Sequence, residues 1–230
     1  SLEIQKKVYG LEHPRTASSL RKLGMFYLAL DQYKKAEPFL TQSLAIYKKV
    51  HGLEHSDTAT ALNSLSWLYV QLGQYEKAES SYKKELEITK KIHGLEHPHT
   101  ATTLSDLGLL YRILDQYEKA EPLARQSLEI YKKVYGLDHQ DTASSLTSLS
   151  VLYSYLGQYA EAESLITQAI QINKKIFGFN HPHTAIALHN LGLLYARSGQ
   201  HEKAEPLYKQ ALAIDRQVKG LDHPSSVTTL

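Results

Sequence analysis

A five-residue phrase returns along this chain at a fixed spacing of 42 residues, with no insertion or deletion. Gly10-Leu11-Glu12-His13-Pro14 comes back as Gly52-Leu53-Glu54-His55-Ser56, then as Gly94-Leu95-Glu96-His97-Pro98. It recurs as Gly136-Leu137-Asp138-His139-Gln140, as Gly178-Phe179-Asn180-His181-Pro182, and last as Gly220-Leu221-Asp222-His223-Pro224. A period of this size means stacked copies of one supersecondary unit, each burying its apolar side on its neighbours. The chain of 230 residues therefore reads as a single solenoid over 1–230 rather than one or two globules. Five full units span 10–51, 52–93, 94–135, 136–177 and 178–219, with partial units at 1–9 and 220–230. The partial units resemble no polar cap, so the expectation is one region of a larger multidomain protein.

Within one unit the apolar spacing is helical. In the third, Ala101, Leu104, Leu107, Leu110 or Tyr111, and Leu114 recur every three to four residues. Pro98 suits a first helical turn, where a missing N–H costs nothing. A turn at Asp115-Gln116, which is Gly73-Gln74 and Gly157-Gln158 in the even units, closes this helix. A second helix is expected from about Tyr117 to Tyr135, with Ala120, Leu123, Ala124, Leu128, Ile130, Tyr131 and Val134 apolar and Gly136 ending it. Two helices joined by so short a turn lie antiparallel. Ala36, Ala78, Ala120, Ala162 and Ala204 mark the close approach, where leucine would overpack. Leu11, Leu53, Leu95, Leu137, Phe179 and Leu221 are expected to pin each loop to the core. Pro38, Pro122 and Pro206 stand just inside the second helix, where each removes a hydrogen bond and bends the first turn. Acidic residues sit early in that helix and lysine pairs such as Lys132-Lys133 late, matching the helix dipole on a solvated face.

Charge is nearly balanced, 26 Lys+Arg against 24 Asp+Glu, which argues against a nucleic-acid partner. No apolar run reaches the ~18 residues of a membrane span. The chain has no cysteine, which removes thiol chemistry and fits a cytoplasmic, reducing compartment. No phosphate-binding glycine loop, dinucleotide fingerprint or His-Glu-x-x-His occurs, so a non-enzyme without cofactors is expected. Six of the twelve histidines are the loop residue (His13, His55, His97, His139, His181, His223), read as loop structure hydrogen-bonding a helix end. Successive copies stand too far apart to share a zinc ion with its ~2 Å ligand bonds. His93, His97 and His99 lie closer together and could take up metal adventitiously, but no metal site is expected.

The pattern Leu104-x2-Leu107-Gly108-x2-Tyr111, followed by Ala120, resembles the tetratricopeptide repeat. It recurs at Leu20-Leu23-Gly24-Tyr27-Ala36 and at Leu188-Leu191-Gly192-Tyr195-Ala204, with Ser66 and Ser150 replacing the glycine in units two and four. The longer unit, with its Gly-x-x-His-Pro-x-Thr-Ala loop and Tyr-x-x-Ala-Glu-Pro-Leu segment, looks like the kinesin-light-chain type. The resemblance covers the whole chain. It implies an all-α fold, a right-handed superhelical solenoid of antiparallel helix hairpins, with first helices lining a concave groove.

Carried over residue by residue, that groove holds Arg21 and Met25; Asn63, Trp67 and Gln71; Ser105, Leu109 and Arg112; Thr147, Val151 and Tyr155; and His189, Leu193 and Arg197. The same carry-over places Ser18, Leu28, Ala29, Thr60, Val70, Thr102, Ile113, Ser144, Ser154, Ile186 and Ala196 in the groove as well. The kinesin-light-chain pattern favours an Asn pair, of which only Asn63 and Asn190 remain. Trp and Arg are the residue types that dominate interface energetics, and Arg holds a carboxylate through two parallel hydrogen bonds. The implied function is a protein- or peptide-binding scaffold whose ligand carries acidic and apolar side chains. The alternative is a structural solenoid that packs against partner domains, or end to end on its own copies, through its ends or convex face.

Overall fold

The structure, a computed structural model, describes residues 8–219. Ten helices follow one another from residue 14: α1 (Pro14–Ala29), α2 (Tyr33–His51), α3 (Ser56–Gln71), α4 (Tyr75–His93), α5 (Pro98–Ile113), α6 (Tyr117–Tyr135), α7 (Gln140–Tyr155), α8 (Tyr159–Phe177), α9 (Pro182–Arg197) and α10 (His201–Lys219). No strand occurs among the described residues, and none of these helices is long and apolar enough to cross a membrane. The expectations placed on residues 1–7 and 220–230, including Leu221 and His223, lie outside the described residues.

The repeating loop residues start the first helices. The Nδ1 atoms of His13, His55, His97, His139 and His181 accept the backbone N–H two residues on, at 3.1–3.3 Å. That satisfies one of the four donors a helix start leaves unpaired. The accepting Nδ1 places the ring proton on Nε2. Thr58, Thr100 and Thr142 bind the same loops from the helix side, each donating its hydroxyl to a glycine carbonyl at 2.8 Å. The second helices α2, α4, α6 and α8 stop at a glycine, and Gly136, with φ 81° and ψ −175°, adopts a backbone conformation essentially closed to other residues. The turn inside each hairpin needs a left-handed residue, supplied by Gly73 at φ 69° and by Asp115 at φ 56°.

The residues fall into two compact units, divided between Leu110 and Tyr111 within α5. In the first, α1 pairs with α2 and α3 with α4, and α2 also packs on α3. The α1–α2 hairpin is antiparallel, as its cross-contacts show. Gly24 faces Leu40, the Ser43 hydroxyl donates to the Ala17 carbonyl at 2.7 Å, and Lys49 reaches Glu12 at the loop end. Ala17, Leu20, Ala36, Leu40, Leu62, Leu65 and Leu68 form the buried seam. In the second unit α7 pairs with α8 and α9 with α10, while α6 packs on α7 and α8 on α9. Ala143, Leu146, Ala162, Ile166, Ala185 and Leu188 are its buried counterparts.

Two expectations about the core fail. The loop residues Leu11, Leu53, Leu95, Leu137 and Phe179 are 45–62% exposed rather than pinned inward. The loop is held instead by the threonine–glycine bond and the histidine cap, which leave the apolar side chain outside. Val134 is also exposed, because it lies in the last turn of α6, beyond the buried stretch that ends at Tyr131.

Candidate functional site

One seam of the first unit buries a carboxylate. There Glu85 of α4 is 95% buried, being 5% exposed, and stands beside Asp106 of α5. Asn63 of α3 joins them, its amide donating to Asp106 at 2.8 Å and to the two oxygens of Glu85 at 3.2 and 3.3 Å. Thr103 donates its hydroxyl to Glu85 at 2.9 Å. No cationic side chain contributes to the electrostatics of either carboxylate. Burial, with the neighbouring carboxylate adding to it, pushes Glu85 up to about 8; burial pushes Asp106 up to about 6, against the Asn63 bond. Tyr82, one turn earlier on α4, is also raised, chiefly by burial. Beside Glu85 a cavity of about 430 Å³ opens between α3, α4 and α5, with Ala59 and Thr89 buried in its wall and Thr60, His99 and Thr102 at its mouth.

In the second unit, three of the residues expected to bind come together. The guanidinium of Arg197 lies 3.6 Å from the centroid of the Tyr155 ring and that of Arg112 lies 5.9 Å from it. Tyr117 stacks on Tyr155 with ring centroids 5.3 Å apart. Neither guanidinium has an ion-pair partner among the described residues. Each cation over a phenol face gains about 0.5–1 kcal/mol at an exposed site, which fixes the arginine without consuming its hydrogen-bond donors. Those donors remain able to grip a carboxylate in two parallel bonds. Tyr117 donates its hydroxyl to Asp115 at 2.5 Å, and that bond, with burial and the charge of Asp115, raises the phenol above its ordinary range.

The other expected residues are dispersed. Met25 and Trp67 are half-buried and pack against the core of the first unit. Arg21, Ser105 and Leu109 are half-buried and Gln71 is exposed. Thr147 and Val151 are half-buried, Thr147 returning its hydroxyl to the Ala143 carbonyl at 2.9 Å. Leu193 is exposed, and His189 packs its ring 5.3 Å from Tyr208, where burial lowers it below the ordinary histidine range.

The histidine clusters are built as stacks. The residue four before each capping histidine carries a ring that stacks on it: Tyr9 on His13, His51 on His55, His93 on His97, Tyr135 on His139 and Phe177 on His181, at 4.1–4.8 Å. His51, His55 and Asp57 offer ligand atoms within 4.8 Å of one another, whereas the sequence points first to His93, His97 and His99. Tyrosine and phenylalanine make the same stack elsewhere, so the stack itself does not call for a ligating ring.

Sequence reasoning also missed Glu85, Asp106 and Tyr117. Tyr117 carried a signal, because Tyr33, Tyr75, Tyr117 and Tyr159 all open a second helix. Glu85 carried one as well, since the equivalent positions hold Ser43, Ser127, Ala169 and Ala211.

These helical hairpins, with no strand between them among the described residues, define a helical-repeat protein. Residues 1–49, 21–91, 71–133, 99–175 and 141–217 each match the tetratricopeptide repeat family, and the chain belongs to it. Its fold class is the α-α superhelix of tetratricopeptide repeat solenoids. Nearly identical TPR-like repeats from Podosopora anserina, described as of kinesin light chain, are 27% identical with a TM-score of 0.76, the match covering 90% of this chain and 98% of that one. BtubC (BKLC) from P. vanneervenii shares the fold at 22% identity and TM-score 0.78, over 97% of this chain and 88% of the other. YrrB, a TPR protein with an unusual peptide-binding site, aligns over 99% and 96% of the two chains at 18% identity and TM-score 0.54. No curated protein sequence matches.

Proposed function

We propose that this chain is a protein- or peptide-binding scaffold that grips an acidic, apolar segment of its partner, within a larger multidomain protein of the cytoplasm. The observation that carries the reading is the pair of guanidinium groups, Arg112 and Arg197, ranged about the single ring of Tyr155 without an acid of their own. Two forks aimed from a rigid aromatic support suit one carboxylate or two neighbouring ones. Exposed Leu193 and half-buried Val151 on the same first helices supply apolar contact. The peptide-binding site of YrrB lends support, since that protein shares the fold. No cofactor, nucleic acid or membrane enters this reading.

The test is a display selection of extended peptides on the whole chain, followed by anisotropy titration of the selected acidic peptide. Arg112→Ala and Arg197→Ala should each weaken it at least tenfold. Unchanged affinity in both arginine variants would end the proposal.

A second reading rests on the exposed loop residues. Leu11, Leu53 and Leu95 in the first unit, and Leu137 and Phe179 in the second, present an apolar group once per repeat. A partner domain or another copy of the chain could cover them. Light scattering across a concentration series distinguishes the two: growth with concentration that Leu53→Ser and Leu137→Ser abolish favours self-association, and a constant monomer mass removes it.

A further inference from the structure

We propose that the cavity between α3, α4 and α5 receives a basic side chain of a protein partner, a lysine ammonium or an arginine guanidinium, with Glu85 as its counter-ion and Asp106 and Asn63 in support. The proposal rests on the reading that the chain binds protein partners, but it concerns the first unit and the opposite charge.

The repeat does not require a carboxylate at the position of Glu85. At the equivalent position of the α1–α2 hairpin, Ser43 is fully buried and closes on the Ala17 carbonyl at 2.7 Å. Ser127, Ala169 and Ala211 are fully buried too. Four units thus seal this point with a small side chain. In the second unit of the repeat a carboxylate takes the place, and Ala59, the counterpart of Ala17, lines a cavity. A buried carboxylate costs folding free energy unless it is paired. Here it is satisfied only by the Thr103 hydroxyl and one shared amide of Asn63. A carboxylate offers about four acceptor sites, so acceptor capacity is left over on the side of the cavity.

The cavity wall selects for a group that only donates. Thr60 gives its hydroxyl proton to the Ser56 carbonyl at 2.9 Å and Thr89 gives its own to the Leu86 carbonyl at 3.2 Å. What these hydroxyls can still offer is lone pairs. Ammonium and guanidinium groups carry donors and no acceptors. An acidic side chain would meet spent hydroxyls and the charge of Asp106, joined by that of Glu85 once its proton is lost at about pH 8, and would be repelled. His93 and His99 also line the cavity, and burial together with the neighbouring histidines holds His93 below the ordinary range, which favours an uncharged ring beside the methylene stem of a bound lysine or arginine. The cavity, about 430 Å³ and half open to solvent, has room for one long side chain entering from its mouth.

The test uses n-butylamine and n-propylguanidine as the two probes, titrated into the full 230-residue chain and followed by calorimetry and by the side-chain amide resonance of Asn63. Saturable binding of at least one probe is expected, weakened at least tenfold by Glu85→Gln and by Thr60→Phe, which plugs the mouth, and less strongly by Asp106→Asn. Circular dichroism checks that each variant folds. Arg112→Ala and Arg197→Ala should leave probe binding unchanged while removing acidic peptides, so either proposal can fail alone. Absence of saturable binding, or equal affinity in Glu85→Gln, overturns the basic-side-chain pocket. So does zinc uptake at His93 and His99 that the amines fail to displace.

Discussion

Ser150 of α7 donates its hydroxyl to the main-chain carbonyl of Ala162 on α8, a 2.7 Å hydrogen bond across the buried seam of one hairpin. The equivalent residues are Gly24 and Gly192 in two other units, and there the partner helix supplies bulk instead. A methyl group on Gly24 would meet Leu40 at 2.6 Å, and one on Gly192 would meet the Tyr208 ring at 2.8 Å. The third kind of occupant is Ser66, whose hydroxyl turns back to the Leu62 carbonyl of its own helix at 2.8 Å, so the bond across the seam belongs to Ser150 and not to serine at this position in general.

Ser150→Ala should therefore cost about 0.5–1.5 kcal/mol, the net worth of one buried hydrogen bond whose acceptor keeps its helical partner. Gly192→Ala should cost about 1–2 kcal/mol despite the helix propensity it gains, because overpacking outweighs roughly 1 kcal/mol of propensity. Urea denaturation of both variants checks this; a stabilised Gly192→Ala would show that the Tyr208 ring yields freely.

The hairpin turns give the second prediction. Asp31 and Asp115 hold a φ of 56°, which costs most residues about 1–2 kcal/mol. Each carboxylate accepts a bond from the tyrosine two residues on, Tyr33 at 2.7 Å and Tyr117 at 2.5 Å. Asp115→Gly should be close to neutral, trading that bond for relief of strain, while Asp115→Ala should lose about 1 kcal/mol by keeping the strain and losing the bond. Gly73→Ala should fall by a similar amount. Thermal melts of the three variants settle the ranking.

How far these features were legible in the sequence depends on whether a residue obeys the repeat. Helix boundaries were readable because His97-Pro98 and Gly136 act through the local backbone, which sequence dictates directly. Ala36, Ala78, Ala120, Ala162 and Ala204 were readable because each recurs where two backbones meet, and all are buried. The loop leucines misled for the same reason: recurrence reports a shared role, not a shared burial, and polar bonds from Thr58 or Thr142 already hold the loop. The cluster of Arg112, Tyr155 and Arg197 was half legible. The three stand out as separate groove positions, but their meeting depends on side-chain directions between neighbouring helices. Glu85 was invisible to a reading that looked for sameness, because its information lies in breaking the pattern of Ser43, Ser127, Ala169 and Ala211.

The capping histidines yield a third prediction. His139 accepts the Asp141 N–H at 3.2 Å and stacks on Tyr135 with centroids 4.1 Å apart. His139→Ala removes both and should cost about 1–2 kcal/mol. His139→Asn keeps a capping acceptor and should recover about half of that loss, the remainder being the ring stack. Hydrogen exchange at the start of α7 reads the cap directly: protection of the first-turn amides should drop in the alanine variant and return in the asparagine one.

The buried carboxylates make stability depend on pH with a definite sign. Glu85 rises from 4.5 to about 8 and Asp106 from 3.8 to about 6 on folding. Both therefore favour the folded chain when protonated. Their contribution is fully present below about pH 4 and is lost as pH rises, for Asp106 by about 6 and for Glu85 by about 8, with no further change above that. Glu85→Gln keeps an acceptor for Thr103 but has no proton to lose. The variant should match the wild type near pH 4 and exceed it near pH 8 by on the order of 4 kcal/mol, since each tenfold change in proton affinity corresponds to about 1.4 kcal/mol. A bound ammonium or guanidinium would stabilise the charged carboxylate and erase most of that difference. Melting curves of both proteins from pH 4 to 9, with and without n-butylamine, test the whole chain of reasoning; parallel curves would mean that Glu85 is solvated or paired in the folded state.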